Sequence, residues 1–172
     1  MSKTVEYYFD FGSPAAYLAS TQLKTLALDT GATVVWRPML LGGVFMATGN
    51  ASPASVPAKG NYIFRDFARF ARRYKVPLNT NPFFPINTIT LMRIAIGLQL
   101  REDPRFADYC TAMFRAIWVE AHNMNDPAPK RFRFGPLRIN TIGSVGNAVL
   151  AISIRVVALH RKIRADNSRQ HH

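Results

Sequence analysis

The chain has 172 residues, of which 48% are hydrophobic, so it is long enough for one domain with a substantial apolar core. Its net charge of +12 suggests a nucleic-acid or membrane-surface binder, but residues 129–172 carry nine Lys/Arg against the single acid Asp166, whereas residues 1–128 carry 13 against nine. The single cysteine, Cys110, excludes an internal disulfide, a Cys-x-x-Cys redox pair and a cysteine-rich zinc site.

Two segments are relevant to where in the cell the protein is located. Residues 1–6 show no apolar run behind basic residues, so we expect no secretory signal and a cytoplasmic protein. Residues 139–159 form an apolar stretch that is about long enough to cross a bilayer, but Asn140, Asn147 and Arg155 interrupt it. A transmembrane span is therefore the minor alternative.

The first elements predict a β-α-β unit. Val5–Phe9 is β-branched and aromatic, which is typical of a strand. Ser13 is a natural helix N-cap and Pro14 a natural first helical residue, so we expect one helix from Pro14 to Gly31. Thr33–Trp36 predicts the second strand. The residues expected on the inward face of the helix are Ala15, Leu18, Ala19 and Leu26.

A loop and an amphipathic helix should follow. Residues 41–59 are rich in Gly, Pro and Ala and are expected to form a loop. Apolar residues then recur at helical spacing, at Ile63, Phe67, Phe70, Ala71 and Tyr74. The opposite face carries Arg65, Arg69, Arg72 and Arg73. No aromatic residues interleave with these arginines, so we interpret them as a solvated outer face, with phosphate binding as the alternative.

Two more helices are predicted before residue 125. Pro77–Asn87 is a proline-broken loop, and Thr88–Glu102 is a helix capped by Asn87 or Thr88. Asp103 and Pro104 repeat the cap-plus-proline signal and should open the next helix. Its apolar stripe is Phe106, Tyr109, Cys110, Met113, Phe114 and Ile117. Cys110 lies within this stripe, so we interpret it as a core thiol and not a reactive one.

Several separated motifs resemble one family. The run Tyr8–Pro14 followed by Tyr17–Ala19 resembles the opening signature of 2-hydroxychromene-2-carboxylate isomerases and the related kappa-class glutathione transferases. Further similar segments follow in the same order: Arg37–Pro38, Leu41–Gly43, Thr48–Asn50, Pro57–Gly60 and Tyr62. The resemblance covers residues 5 to about 128. It implies an α/β thioredoxin-like fold with an all-helical insertion, glutathione as cofactor and a possible homodimer.

The resemblance assigns roles to three residues. Ser13 matches the catalytic serine of the family, whereas Asn50 and Lys59 match positions that contact glutathione. A serine hydroxyl and unpaired N–H groups at a helix start would stabilise the thiolate of bound glutathione, which agrees with this assignment. Lys59 would pair with a glutathione carboxylate, and Asn50 could hold its amides. Each residue also has a structural alternative: Ser13 as a simple helix cap, Lys59 as a solvated loop lysine, and Asn50 as a turn residue beside Gly49.

The resemblance also implies a reaction. It is the glutathione-dependent isomerisation of 2-hydroxychromene-2-carboxylate to trans-o-hydroxybenzylidenepyruvate in naphthalene-type aromatic catabolism, with a small aromatic substrate and no metal, membrane or specific nucleic acid. The second enzyme hypothesis is a kappa-class transferase, in which the thiolate attacks an electrophile and remains attached. Two further alternatives are a nucleic-acid or membrane-surface binder acting through the basic tail, and an inactive remnant of the family.

The resemblance ends near residue 128. We therefore expect a thioredoxin-like N-terminal half with its helical insertion in residues 1–128, and a basic non-homologous tail in residues 129–172. The cis-proline loop, hairpin and closing helix of the family are not recognisable in this tail, so the C-terminal half of the thioredoxin sheet is expected to be missing or replaced. A shifted reading frame would produce such a tail; a divergent native ending is the alternative. Alternation over residues 152–156 could supply a replacement strand.

Overall fold

The computed structural model describes residues 3–125, together with the backbone of residues 133–134 and 137–138. Strands β1 (Thr4–Phe9) and β2 (Thr33–Pro38) pair in parallel, with Thr4 opposite Thr33. Two short strands, β3 (Arg133–Phe134) and β4 (Leu137–Arg138), form an antiparallel pair. The first two strands confirm the sequence prediction. The expectations for residues 139–159 and 152–156 lie outside the described residues.

Six α-helices occupy most of the remaining part that the structure describes. They are α1 (Pro14–Ser20), α2 (Leu23–Thr30), α3 (Leu41–Thr48), α4 (Pro57–Tyr74), α5 (Ile89–Leu100) and α6 (Phe106–Trp118). A short 3₁₀ turn at Pro53–Ser55 precedes α4. No helix among the described residues is long and apolar enough to span a bilayer.

The single helix predicted from Pro14 to Gly31 is wrong, because it is two helices. Ser20 and Thr21 donate their hydroxyl groups to the carbonyls of Tyr17 and Leu18, each 2.7 Å away, and such local bonds compete with the helical ladder. The inward side of these helices also differs from the prediction. Ala15 and Ala19 are exposed and Leu26 is 41% exposed, whereas Leu18 is buried as predicted. Gly31 ends α2 in the left-handed region at φ 65°, as predicted.

The loop predicted over residues 41–59 is also wrong, since it contains α3 and the first turn of α4. Pro57 is the first residue of α4, where a missing N–H costs nothing. The backbone N–H of Leu41, the first residue of α3, donates to Asp10 Oδ2 over 2.8 Å. This capping partner lies 31 positions away, so composition near residue 41 could not reveal it.

The core lies where β1 and β2 meet α1 and α6. Tyr7 and Phe9 of β1 contact the Trp36 ring of β2, and Phe9 also contacts Phe114 of α6. The predicted stripe of α6 is confirmed, because its members are buried apart from the half-buried Phe106. The helix begins at Phe106, slightly after the predicted Asp103–Pro104 start.

The outer face of α4 also follows the prediction. Arg65, Arg69, Arg72 and Arg73 are all exposed, and Arg69 forms an ion pair of 3.6 Å with Asp66. Phe70 departs from the predicted inner face and is 37% exposed. Instead, Phe64 turns inward and packs edge-on against Phe84 in the loop that follows.

Candidate functional site

Ser13 stands at the start of α1, where the sequence placed it. Its backbone is extended, at φ −99° and ψ 113°, and its Oγ accepts a hydrogen bond from the N–H of Ala16 over 3.2 Å. The side chain is half-buried, and among the described residues its hydroxyl hydrogen has no acceptor. The cap prediction is therefore confirmed, and the hydroxyl remains able to donate to a ligand.

The turn before Ser13, residues 10–13, is fixed from several sides. The N–H of Ser13 donates to the carbonyl of Asp10 over 3.0 Å. The carbonyl of Phe11 accepts the indole N–H of Trp118 over 2.8 Å. Phe11 and Trp118 are fully buried, whereas Ser13 is partly accessible. A rigid, buried turn thus presents one accessible hydroxyl, which is the arrangement that precise ligand binding requires.

The short length of α1 limits what its helix dipole can contribute at Ser13. The helix behind Ser13 has seven residues. Dipole effects fall off within the first turn of a helix, so the nearest N–H groups provide most of any stabilisation of an anion. Pro14 has no N–H, and that of Ala15 has no hydrogen-bond partner among the described residues. The hydroxyl of Ser13 and the N–H of Ala15 are therefore the donors available at this helix start.

Asn50 lies just beyond α3 and is exposed. Its N–H donates to the carbonyl of Phe45 over 2.9 Å, and the N–H of Gly49, at φ 66°, donates to the carbonyl of Met46 over 3.4 Å. These two bonds form a Schellman motif. The Oδ1 of Asn50 accepts the N–H of Ala51, also at 2.9 Å. The backbone of Asn50 therefore forms a turn, as the alternative interpretation predicts. Its side-chain amide N–H groups remain exposed.

Lys59 is exposed in the first turn of α4, and the loop position considered for it is wrong. A cation near a helix start is repelled by the helix dipole, so helix stability does not explain this lysine. Helix α4 packs against α1. Among the described residues, however, no hydrogen bond or ion pair joins Ser13, Asn50 and Lys59 to one another.

A cavity of about 580 Å³ lies away from the serine turn. Tyr17, Trp36 and Phe114 contribute to its walls, and Lys24 and Arg115 also line it. None of Ser13, Asn50 and Lys59 lines this cavity. It is therefore distinct from the site that the sequence predicts.

Cys110 is confirmed as a core thiol. Its side chain is fully buried, and this burial raises the pKa of the thiol to about 12. Ionisation at neutral pH is therefore negligible, and the Cys110 thiol is unreactive in the folded protein. Among the described residues, no cluster of three or more His, Cys, Asp and Glu could hold a metal ion.

The β1-α1-α2-β2 unit, with an accessible serine at the start of α1 and a helical region after β2, is compatible with the N-terminal half of a thioredoxin-like fold. Comparison with known families agrees, because the model of the DSBA-like thioredoxin domain matches residues 4–132. The chain therefore belongs to the DSBA-like thioredoxin family. This finding confirms the fold class predicted from the sequence.

Named relatives within this fold are isomerases and transferases. The chain is 33% identical over 120 residues to 2-hydroxychromene-2-carboxylate isomerase of Sphingobium xenophagum, covering 69% of this chain and 60% of the relative. Identity to the isomerase of Pseudomonas putida is 35% over 119 residues, covering 67% and 56%. Glutathione S-transferase kappa 1 of Caenorhabditis elegans is 28% identical over 126 residues, covering 70% and 56%. The resemblance stated from the motifs is thereby confirmed.

A solved structure gives the same result. The structure of selenomethionine-substituted 2-hydroxychromene-2-carboxylate isomerase matches with a TM-score of 0.55 and 35% sequence identity. The match covers 69% of this chain and 57% of that chain. The chain thus spans less than two thirds of the length of the relatives it matches.

Proposed function

We propose that this chain carries the serine half of a glutathione-dependent isomerase that converts 2-hydroxychromene-2-carboxylate to trans-o-hydroxybenzylidenepyruvate in aromatic catabolism. The observation that supports the proposal most is the position of Ser13: half-buried at the start of α1, with a hydroxyl hydrogen that has no acceptor among the described residues. The proposal includes a small aromatic carboxylate as substrate, a cytoplasmic location and a homodimer.

The residues present fit a thiol cofactor. Glutathione, when bound, would supply a thiolate for reversible addition to a conjugated double bond. Ser13 would donate its hydroxyl to the sulfur and so favour the charged form, as a hydrogen bond to an anion lowers its pKa. Lys59 would pair with a carboxylate of the tripeptide, and Asn50 would offer its exposed amide.

The second candidate is a kappa-class glutathione transferase. The 28% identity to glutathione S-transferase kappa 1 supports it, and the same hydroxyl would serve both reactions. In the transferase the sulfur remains bonded to the electrophile. Turnover of the chromene carboxylate, compared with turnover of an aryl halide, distinguishes the two enzymes.

The test is calorimetric titration of the full chain with glutathione, together with three variants. Ser13→Ala should weaken binding about tenfold or more at pH 7, because it removes one hydrogen bond to a charged sulfur, whereas Ser13→Thr, which keeps a hydroxyl, should retain the affinity. Ser52→Ala is the matched control, because Ser52 Oγ likewise accepts a capping hydrogen bond, from Ala54 over 3.3 Å, at the 3₁₀ turn. It should bind glutathione like the unmodified chain.

The outcomes separate the alternatives. Binding weakened in Ser13→Ala alone, accompanied by isomerase turnover of the unmodified chain, supports the proposal. Equal binding by the unmodified chain and Ser13→Ala would show that the serine is only a helix cap. No binding by any form would favour the inactive remnant over both enzymes.

A further inference from the structure

Asp10 is a buried carboxylate that the proposed chemistry leaves unused. It is 3% exposed and accepts three hydrogen bonds. Its Oδ1 accepts from the N–H of Gly12 over 2.9 Å and from Thr88 Oγ over 2.6 Å, and its Oδ2 accepts from the N–H of Leu41 over 2.8 Å. The donors belong to the turn before α1, to the first turn of α3 and to the residue before α5. One side chain therefore joins three segments that are distant in sequence.

Thr88 is turned toward Asp10 and away from its own helix. It occupies the N-cap position of α5, yet its side chain makes no capping hydrogen bond there. Threonine at an N-cap usually accepts from the first turn of its helix. Here its hydroxyl donates to a carboxylate 78 positions earlier in the chain. Local helix stability does not explain this contact.

Gly12 lies in close contact with the same pair. A Cβ at this position would approach Thr88 Cγ2 at 3.3 Å and Asp10 Oδ1 at 3.4 Å. Thr88, 4% exposed, therefore lies beside the residue that precedes Ser13, and a side chain at position 12 would press on both members of the pair.

We propose that Asp10 and Thr88 form a positioning pair that fixes the direction of the Ser13 hydroxyl toward its ligand. Neither residue touches the ligand; both act through Gly12 and the backbone of Ser13, whose N–H donates to the carbonyl of Asp10. A carboxylate is needed because three donors converge on it and an amide has only one acceptor oxygen. The functional part of this inference rests on the proposed glutathione site.

Three variants of the full chain test the pair. Thr88→Val keeps the shape and removes the donor, Thr88→Ser keeps the donor, and Asp10→Asn keeps the shape and loses at least one of the three bonds. Tyr109→Phe is the matched control, because it removes another buried hydrogen bond, from Tyr109 to the carbonyl of Leu91 over 3.0 Å. Two readouts are needed: the glutathione dissociation constant at pH 7 and the amide hydrogen exchange of Gly12 and Ser13.

Thr88→Val and Asp10→Asn should weaken glutathione binding about fivefold or more and accelerate amide exchange at Gly12 and Ser13, since one lost buried bond changes an equilibrium by about this factor. Thr88→Ser should keep the dissociation constant and the exchange rates within about twofold of those of the unmodified chain. Tyr109→Phe should lower stability while leaving both unchanged.

Two results would overturn the inference. If Thr88→Val behaves like Tyr109→Phe in both readouts, the threonine contributes only to stability. If the exchange of Gly12 and Ser13 rises but affinity does not, the pair holds the turn without positioning the ligand. The absence of glutathione binding in the unmodified chain would instead contradict the proposed function, and the exchange rates would still decide whether the pair fixes the turn.

Discussion

Trp118 donates its indole N–H to the carbonyl oxygen of Phe11 over 2.8 Å, which joins the last residue of α6 to the turn that carries Ser13. Both side chains are fully buried. A buried carbonyl without a donor is costly, so the indole completes the hydrogen bonding of the turn from a position 107 residues away. This contact makes the end of α6 part of the support of the serine.

Replacing Trp118 should therefore destabilise the protein. Trp118→Phe removes the donor and leaves a cavity, and we expect a loss of about 2–4 kcal/mol in the free energy of unfolding. Trp36→Phe serves as the reference, because among the described residues the indole N–H of this half-buried tryptophan has no hydrogen-bond partner. Urea titration measures the loss in both variants. A loss for Trp118→Phe no larger than that for Trp36→Phe would contradict the prediction.

Cys110 should be unreactive in the folded protein. With a pKa of about 12, its thiolate fraction at pH 7 is on the order of 10⁻⁵, and its side chain is fully buried. A chromogenic disulfide reagent should label no thiol under native conditions and one thiol per chain in urea. Rapid native labelling would mean that α6 opens readily.

Gly42 in α3 and Gly49 directly after it should respond oppositely to replacement by alanine. Gly42 lies within the helix and Gly49 follows it at φ 66°, and a Cβ at either position would have no atom within 4 Å. Gly42→Ala should stabilise the protein by about 0.5–1 kcal/mol through helix propensity. Gly49→Ala should destabilise it by about 1 kcal/mol or more, because the left-handed conformation strains a side chain. Thermal unfolding of both variants measures the difference, and equal shifts would contradict it.

Asp103 should contribute a pH-dependent ion pair. Hydrogen bonds from Arg105 lower the pKa of Asp103 from 3.8 to about 2. Because the pKa of Asp103 is lower in the folded state than in the unfolded state, its ionised carboxylate stabilises the protein at pH values above about 4. This contribution is lost as the pH falls from about 4 to about 2. The stability advantage over Asp103→Asn should shrink over this range. In an NMR titration, Arg105→Gln should return the pKa of Asp103 toward 3.8, and an unchanged value would contradict the assigned cause.

Local signals predicted much of the fold. β1, the Ser13 cap, the stop at Gly31 and the stripe of α6 all follow from residues that lie close together in sequence, and the structure contains each of them. The periodicity of α1 does not predict its buried side, because a seven-residue helix makes only about two turns. Ala15 and Ala19 are exposed, whereas the sequence predicts that they face inward.

Long-range contacts are what the sequence could not show. Helix α3 was missed because its first N–H is capped by Asp10, and the role of Asp10 was missed because Thr88 and Leu41 lie 78 and 31 positions away. The loop predicted at Lys59 is wrong for a local reason, since Pro57 two residues earlier is itself a helix-start signal, whereas Asn50 does lie outside a helix. A single sequence signals which residue can begin a helix but not which distant group completes its hydrogen bonds.

The order of synthesis gives these distant contacts a further consequence. β1 and α1 leave the ribosome first, yet the acceptors at Asp10 and Phe11 receive Thr88 and Trp118 only after the later helices have been translated. Until then the nascent serine turn depends on water for those bonds. A ribosome stalled before residue 118 would therefore hold β1 and α1 with the hydrogen bonds of the Ser13 turn incomplete.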